Sequence, residues 1–266
     1  MAFQDILYDK RDGTATITIN RPNVLNAFRA ETVEEMLAAM RDAEDDDDIG
    51  VIVLAGAGDR AFCSGGDNSA RQSGSTGGKG YGGRGLVGLP IEELHELIRN
   101  SRKPVIAKVQ GYAIGGGNVL ATVCDLTIAS DKAVFGQVGP RVGSVDPGWG
   151  TAFLARHVGD KRAREIWFLC RRYTAAEAFQ MGLVNKVVPA DQLDAEVETW
   201  CREILALSPT AIAIAKRSFN ADSENIKGIG ALGLESLALY YNTDEAKEGT
   251  NAFLEKRRPA FRRKTK

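Results

Sequence analysis

The sequence predicts an α/β fold of alternating strands and helices with a helical appendage at its C-terminal end. Apolar runs of buried-strand length recur at residues 51–55, 105–109 and 126–129. Between them apolar residues return at helical spacing, and beyond Asp160 the pattern turns almost wholly helical. Strand, helix, strand in this order implies right-handed crossovers. Residues 1–200 are expected to form the α/β core, and residues 201–266 a helical region lying on it or on a neighbouring subunit.

The chain opens on sheet. Residues 6–10 and 14–20 flank the turn-forming pair Asp12-Gly13, and Ile17 and Ile19 alternate with threonines as in a hairpin. Thr32-x-x-Glu35 reads as a capping box ahead of Met36, Leu37 and Met40 on one helical face, closed by a solvated acidic turn at 44–48. After the strand at 51–55 comes a glycine-rich loop. Residues 74–88 hold eight glycines and few apolar anchors, so this stretch reads as a mobile loop, either inert or a lid over substrate. A helix opens near Pro90 with Leu94, Leu97 and Ile98 on one face, and a further apolar helix runs from the glycines at 115–117 to about Cys124. Helices are expected near 160–169, 174–181, 192–207, 209–220, 229–241 and 243–255, with strand only at 183–188.

Composition narrows the function. Thirty-four basic residues against 35 acidic ones leave a formal net charge of −1, so no overall field favours nucleic acid or an anionic membrane. The apolar runs are too short to span a bilayer, and the first residues lack a basic segment followed by an apolar stretch, which points to the cytoplasm. Cys63, Cys124, Cys170 and Cys201 are widely spaced and accompanied only by His95 and His157, an arrangement that fits reduced thiols and argues against a metal site. Neither GxxxxGK[ST] nor a strand-adjacent GxGxxG occurs, which argues against a nucleotide-binding P-loop. The tail from Lys256 to Lys266 has seven basic residues in eleven; a solvated tail, contacts to phosphates and RNA binding all fit it.

Two loops each follow a core strand and place glycines where a backbone must approach something closely: AFCSGGD (61–67) and GYAIGGG (111–117). A glycine there lets its N–H point into a cleft, and the second loop runs into a helix whose N-terminus adds positive potential. Two converging donors of this kind make an oxyanion hole. Tight packing would also explain glycines at these positions.

The pair of loops, together with the opening hairpin bearing Asn20-Arg-Pro22 and Asn26-Ala-Phe28 and the CDLTIAS segment, resembles the crotonase (enoyl-CoA hydratase/isomerase) superfamily over nearly the whole chain. The resemblance implies a crotonase-like spiral of ββα/βαβ turns, homotrimers or homohexamers, an acyl-CoA substrate, and no cofactor beyond the coenzyme A moiety. The oxyanion donors would be the amides of Gly66 and Gly116. Coenzyme A would lie along Ser64, Gly65, Gly66, Asp67 and Asn68 with Tyr112, Ile114 and Gly115, while Asp67 mainly holds its loop. Hydratases of this family carry glutamates where this chain has Val119 and Gly139, so simple hydration lacks its acid/base pair.

The stretch GQVGPRVGSVDPGWG (136–150) offers Ser144 and Asp146 instead, although a carboxylate before Pro147 also fits a helix cap. Near the C-terminus Tyr241 adds a phenol, for which plain packing is the alternative. These features resemble the branch containing 1,4-dihydroxy-2-naphthoyl-CoA synthase and 2-ketocyclohexanecarboxyl-CoA hydrolase. There Asp146 and Tyr241 would do the acid/base work, with Phe253 and Lys256 holding coenzyme A across a subunit boundary. Val138 stands where bicarbonate-using synthases place threonine, which weakens a bicarbonate pocket of Gln137, Gly139 and Trp167. Segments GLVGLPIEELH (85–95) and SPTAIAIAKRSFN (208–220) look like the ring-opening hydrolase. The expectation is therefore ring-opening hydrolysis, with the ring-closing synthase second and a non-catalytic or RNA-binding homologue third.

Overall fold

The threonine–isoleucine alternation becomes a strand with one buried face: Ala15, Ile17 and Ile19 are buried and the threonines between them are not. The computed structural model describes residues 3–74 and 80–262. Its strands are β1 (Ile6–Arg11), β2 (Thr14–Ile19), β3 (Val51–Gly56), β4 (Ala61–Cys63), β5 (Val105–Val109), β6 (Tyr112–Ile114), β7 (Leu126–Ser130), β8 (Val134–Gly136), β9 (Arg172–Thr174) and β10 (Lys186–Val188). The helices are α1 (Ala30–Asp45), α2 (Asn68–Gly74), α3 (Ile91–Asn100), α4 (Gly116–Val123), α5 (Gly139–Val142), α6 (Leu154–Val158), α7 (Asp160–Leu169), α8 (Ala175–Gln180), α9 (Leu193–Leu205), α10 (Pro209–Ala221), α11 (Asn225–Tyr240) and α12 (Asp244–Leu254).

Two sheets organise the core. The larger runs β1-β2-β3-β5-β7-β10, antiparallel at β1/β2 and parallel elsewhere. The smaller runs β4-β6-β8-β9, with only β8/β9 antiparallel. Each of β3, β5 and β7 hands the chain to a short strand of the second sheet, and helices carry it back. This is the α/β spiral of the crotonase fold, finished by C-terminal helices. Strand β3 is buried throughout because it is covered on both faces: Ile52 and Leu54 join the core beneath α1 and α3, while Val51 and Val53 pack with Leu193, Val197 and Cys201 of α9.

Several sequence expectations need correction. The second sheet was not legible, because strands of three residues carry too little periodicity to separate from loops. Thr32-x-x-Glu35 is no capping box. Helix α1 already starts at Ala30; the Thr32 hydroxyl accepts from Arg29 N–H and donates to Asp5, and Glu35 accepts the amides of Gln4, Asp5 and Ile6. Glu44, read as part of a solvated turn, accepts from Ser101 and from Arg102 N–H, tying α1 to the end of α3. The expected strand at 183–188 shortens to β10, since Leu183 and Val184 turn into the core.

The loop at 74–88 also differs from its reading. Residues 75–79 lie outside the described residues. Residues 80–88 are held: Tyr81 N–H donates to Val87 O, Gly83 N–H to Gly88 O, and Arg84 pairs with Glu34 of α1 and Glu93 of α3. In the tail, Arg257 pairs with Glu248 and Glu255, and residues 263–266 are outside the described part.

Asn26 fixes the turn that brings the first strand pair against the active loops. It is fully buried in the left-handed region (φ 55°); its amide donates to Ala57 O and Ala61 O, and its oxygen accepts from Arg21 N–H. Asn26→Ala is expected to cost about 3 kcal/mol in urea unfolding, because it strands two buried carbonyls and an amide. A loss under about 1 kcal/mol would contradict this account.

Candidate active site

The two glycine-rich loops meet because their glycines serve two different ends. Some permit contact: a Cβ on Gly117 would sit 1.9 Å from Cys63 O, and one on Gly111 2.1 Å from Arg60 O. Others open an amide. Gly66 forms a parallel bridge with Phe28, in which Phe28 N–H donates to Gly65 O (2.9 Å) and Asp67 N–H to Phe28 O (2.8 Å). In that pattern the N–H of residue 66 faces away from residue 28. Gly116 opens α4, where the N–H groups have no intrahelical acceptor. Among the described residues neither amide meets an acceptor. The two lie close together, for Gly116 N is 2.9 Å from where a Cβ on Gly65 would stand.

Gly66 and Gly116 line one cavity with Ser64, Gly65, Asn68, Gly115, Gln137, Gly139, Ser144, Asp146, Trp167 and Tyr241. Most of the expected site residues are therefore brought together. The remainder are not. Asp67 accepts from Arg21 at 3.0 Å and from the amides of Ser69 and Ala70, so it holds its loop. Tyr112 lies under the Arg172 guanidinium (5.2 Å), and Ile114 O packs against Gly65. Phe253 is 54% exposed on α12 and Lys256 lies beyond it, both outside this cavity.

Asp146 precedes a single π-helical turn, Trp149–Phe153, and its Oδ1 accepts from Gly150 N–H at 2.9 Å. The capping role and the cavity position thus coincide. Burial raises its pKa to about 7, the Gly150 amide lowers it and the nearby Glu92 raises it. The carboxyl is consequently half-ionised near neutral pH, the range in which a general base works best.

On the other side Tyr241, just past the end of α11, shares a hydrogen bond with Ser144 Oγ (2.9 Å). The Arg71 guanidinium lies over the Tyr241 ring (4.7 Å) while donating to Val142 O, Gly143 O and Thr250. The same helix contributes Gly230, Leu234 and Leu237 to the cavity wall. Trp167 donates to Gly150 O and packs on Gly139, and Gln137 lines the same cavity.

Sequence reading missed three residues. Tyr81 sits in the glycine-rich stretch, yet its hydroxyl occupies the place a Cβ on Gly66 would take (2.0 Å), and it lines the cavity with Tyr241. Burial, first among the causes, pushes its phenol up. A lone tyrosine among eight glycines was the available signal. Glu92 and His95 of α3 also reach the cavity, and helical spacing alone gave no reason to aim them there. His95 is buried with its pKa lowered to about 3, hence neutral. The buried atoms His95 Nε2, Gln137 Nε2 and Trp149 Nε1 have no hydrogen-bond partner among the described residues, as expected of a wall built to meet a ligand or water.

The sequence matches the enoyl-CoA hydratase/isomerase family over residues 9–264, and the chain belongs to that family, the crotonase superfamily of acyl-CoA-processing enzymes. Its structure is similar to an enoyl-CoA hydratase from Mycobacterium avium subsp. paratuberculosis K-10 (TM-score 0.86, 30% identity, 98% of this chain and 100% of that one). It is also similar to carnitinyl-CoA hydratase from Mycobacterium avium (TM-score 0.83, 28% identity, 97% and 98% covered). A methylmalonyl-CoA decarboxylase in complex with 2-nitronate-propionyl-CoA is comparable (TM-score 0.84, 25% identity, 98% and 99% covered). Among the described residues no helix is long and apolar enough to cross a membrane.

The raised carboxyl has a consequence for stability. Its folded pKa of about 7 exceeds the ordinary 3.8, so folding favours the protonated form. That contribution is complete below the ordinary value and lost as pH rises through about 7. Asp146→Asn, which stays neutral, is expected to melt above the wild type at pH 8 and level with it at pH 4. Equal melting temperatures at pH 8 would show that Asp146 is not desolvated.

Proposed function

We propose that the chain opens the ring of a cyclic β-keto acyl-CoA, converting 2-ketocyclohexane-1-carboxyl-CoA to pimeloyl-CoA. The observation that carries this reading is Asp146, whose pKa lies near 7, in one cavity with the Gly66 and Gly116 amides and the Ser144–Tyr241 pair. Val119 and Gly139 occupy the positions where hydration would need its carboxylates.

The thioester oxygen accepts from the two glycine amides, and Asp146 takes a proton from water. The hydroxide adds to the ring ketone, while Tyr241, held by Ser144, donates a hydrogen bond to the alkoxide. Collapse breaks the bond between that carbon and the thioester α-carbon. The electron pair moves onto the thioester as an enolate stabilised by the two amides, where a single lost donor typically costs a hundred- to a thousandfold in rate. Asp146 returns its proton to the α-carbon, and the former ketone carbon, still tethered through the opened ring, becomes the terminal carboxylic acid, which gives its proton to solvent. Water and substrate account for every atom, so no redox group takes part.

Coenzyme A runs along the Ser64–Asn68 side, and Phe253 and Lys256 meet it from a neighbouring subunit of a trimer or hexamer. Exposed apolar side chains on the last helices, Phe219, Leu232, Leu239 and Phe253, support such an assembly. A second reading, 1,4-dihydroxy-2-naphthoyl-CoA synthase, draws support from the clustered Gln137, Gly139 and Trp167.

Side-by-side turnover of 2-ketocyclohexane-1-carboxyl-CoA and o-succinylbenzoyl-CoA is expected to favour the former, with kcat/KM rising through pH 7. Turnover of the second substrate alone would establish the synthase. Asp146→Asn is expected to abolish turnover, and Tyr241→Phe to lower kcat about a hundredfold. Near-normal rates in Asp146→Asn would remove it from the mechanism.

A further inference from the structure

Glu92 of α3 lines the same cavity as Asp146, and no step of the proposed hydrolysis uses it. Its carboxylate makes no hydrogen bond or ion pair among the described residues, whereas the next residue, Glu93, is paired with both Arg41 and Arg84. Glu92 Oε1 stands 3.3 Å from where a Cβ on Gly230 would be, with Trp149 Nε1 3.7 Å from the same point, so glycine at 230 leaves room for the carboxylate beside α11.

Among the described residues lining the cavity none pairs with this carboxylate, whose pKa burial and then Glu96 raise above its ordinary value. Arg71 is the cavity's one lining cation among the described residues, and its guanidinium is committed to Val142 O, Gly143 O, Thr250 and the Tyr241 ring. His95 is neutral, Tyr81 and Tyr241 are phenols, and Asp146 and Glu96 add negative charge nearby. Lys247 lines an adjoining hollow beyond Arg71 and Tyr241 instead.

Resting on the acyl-CoA reading of the site, we infer that Glu92 is a specificity determinant: its unpaired carboxylate admits neutral cyclic acyl groups and refuses those bearing a free carboxylate. Like charges in a partly desolvated cavity repel far more strongly than in water. Discrimination by an introduced repulsion needs no extra contact to the favoured ligand. The same repulsion acts on the carboxylate formed by ring opening and speeds its departure. It also separates the two functional readings, because o-succinylbenzoyl-CoA carries a free carboxylate and the cyclic ketone does not.

Two unreactive thioesters test this by calorimetry on the full-length protein: cyclohexanecarboxyl-CoA, which is neutral, and adipoyl-CoA, which ends in a carboxylate. Their shared coenzyme A cancels in the ratio of affinities. Wild type is expected to prefer the neutral thioester by about tenfold or more. Glu92→Gln should collapse that ratio by about tenfold while Glu92→Asp retains it, with melting curves reporting folding of each variant. An unchanged ratio in Glu92→Gln, or an equal collapse in Glu92→Asp, overturns the role of Glu92 and leaves the acyl-CoA reading standing. Failure of wild type to bind either thioester overturns both.

Discussion

The contact on which the rest depends is the meeting of β4 with the N-terminus of α4. No side chain fits between Cys63 O and Gly117, nor between Gly65 and the Gly116 amide. These approaches seat the positive end of a helix beside a second open N–H, and neither donor has to reorganise when an oxyanion develops. Arg21 reinforces the arrangement from outside: it pairs with Asp67 at 3.0 Å and approaches Asp5 at 3.4 Å, locking the first loop to the opening hairpin.

Around that fixed pair the cavity is assembled from stretches far apart in the chain. Helix α3 and the segment after residue 80 supply Glu92, His95 and Tyr81; the turn before the π-helical residues supplies Asp146; the end of α11 supplies Tyr241. Burial holds the Asp146 carboxyl near 7 and keeps His95 neutral. A carboxyl, a phenol and two open amides thus share one partly desolvated space, where each electrostatic interaction counts for more than it would in water. The Ser144–Tyr241 hydrogen bond and the Arg71–Tyr241 contact orient the phenol, tying the C-terminal helices to the cavity.

The wall also carries a carboxylate that the proposed hydrolysis does not use. Glu93 pairs with Arg41 and Arg84, and among the described residues Glu92 pairs with no cation, on adjacent positions of one helix. A carboxylate kept unpaired in a substrate cavity costs stability, and selectivity is the physical return it can give.

What the sequence determined by itself is whatever depends on local pattern. Apolar runs fixed the long strands, 3.6-residue spacing fixed the C-terminal helices within a few residues, and two glycine loops announced exposed amides. Asp146, Ser144 and Tyr241 were legible because a carboxylate, a hydroxyl and a phenol stand out in glycine-rich or apolar surroundings. Only the tertiary structure decided the second sheet, whose strands are too short to show a period. It alone turned Thr32 and Glu35 from a helix cap into ties to the first strand. It alone aimed Tyr81, Glu92 and His95 into the cavity, since which face of a helix or loop meets the substrate follows from the packing of distant segments, and that leaves no trace in local spacing.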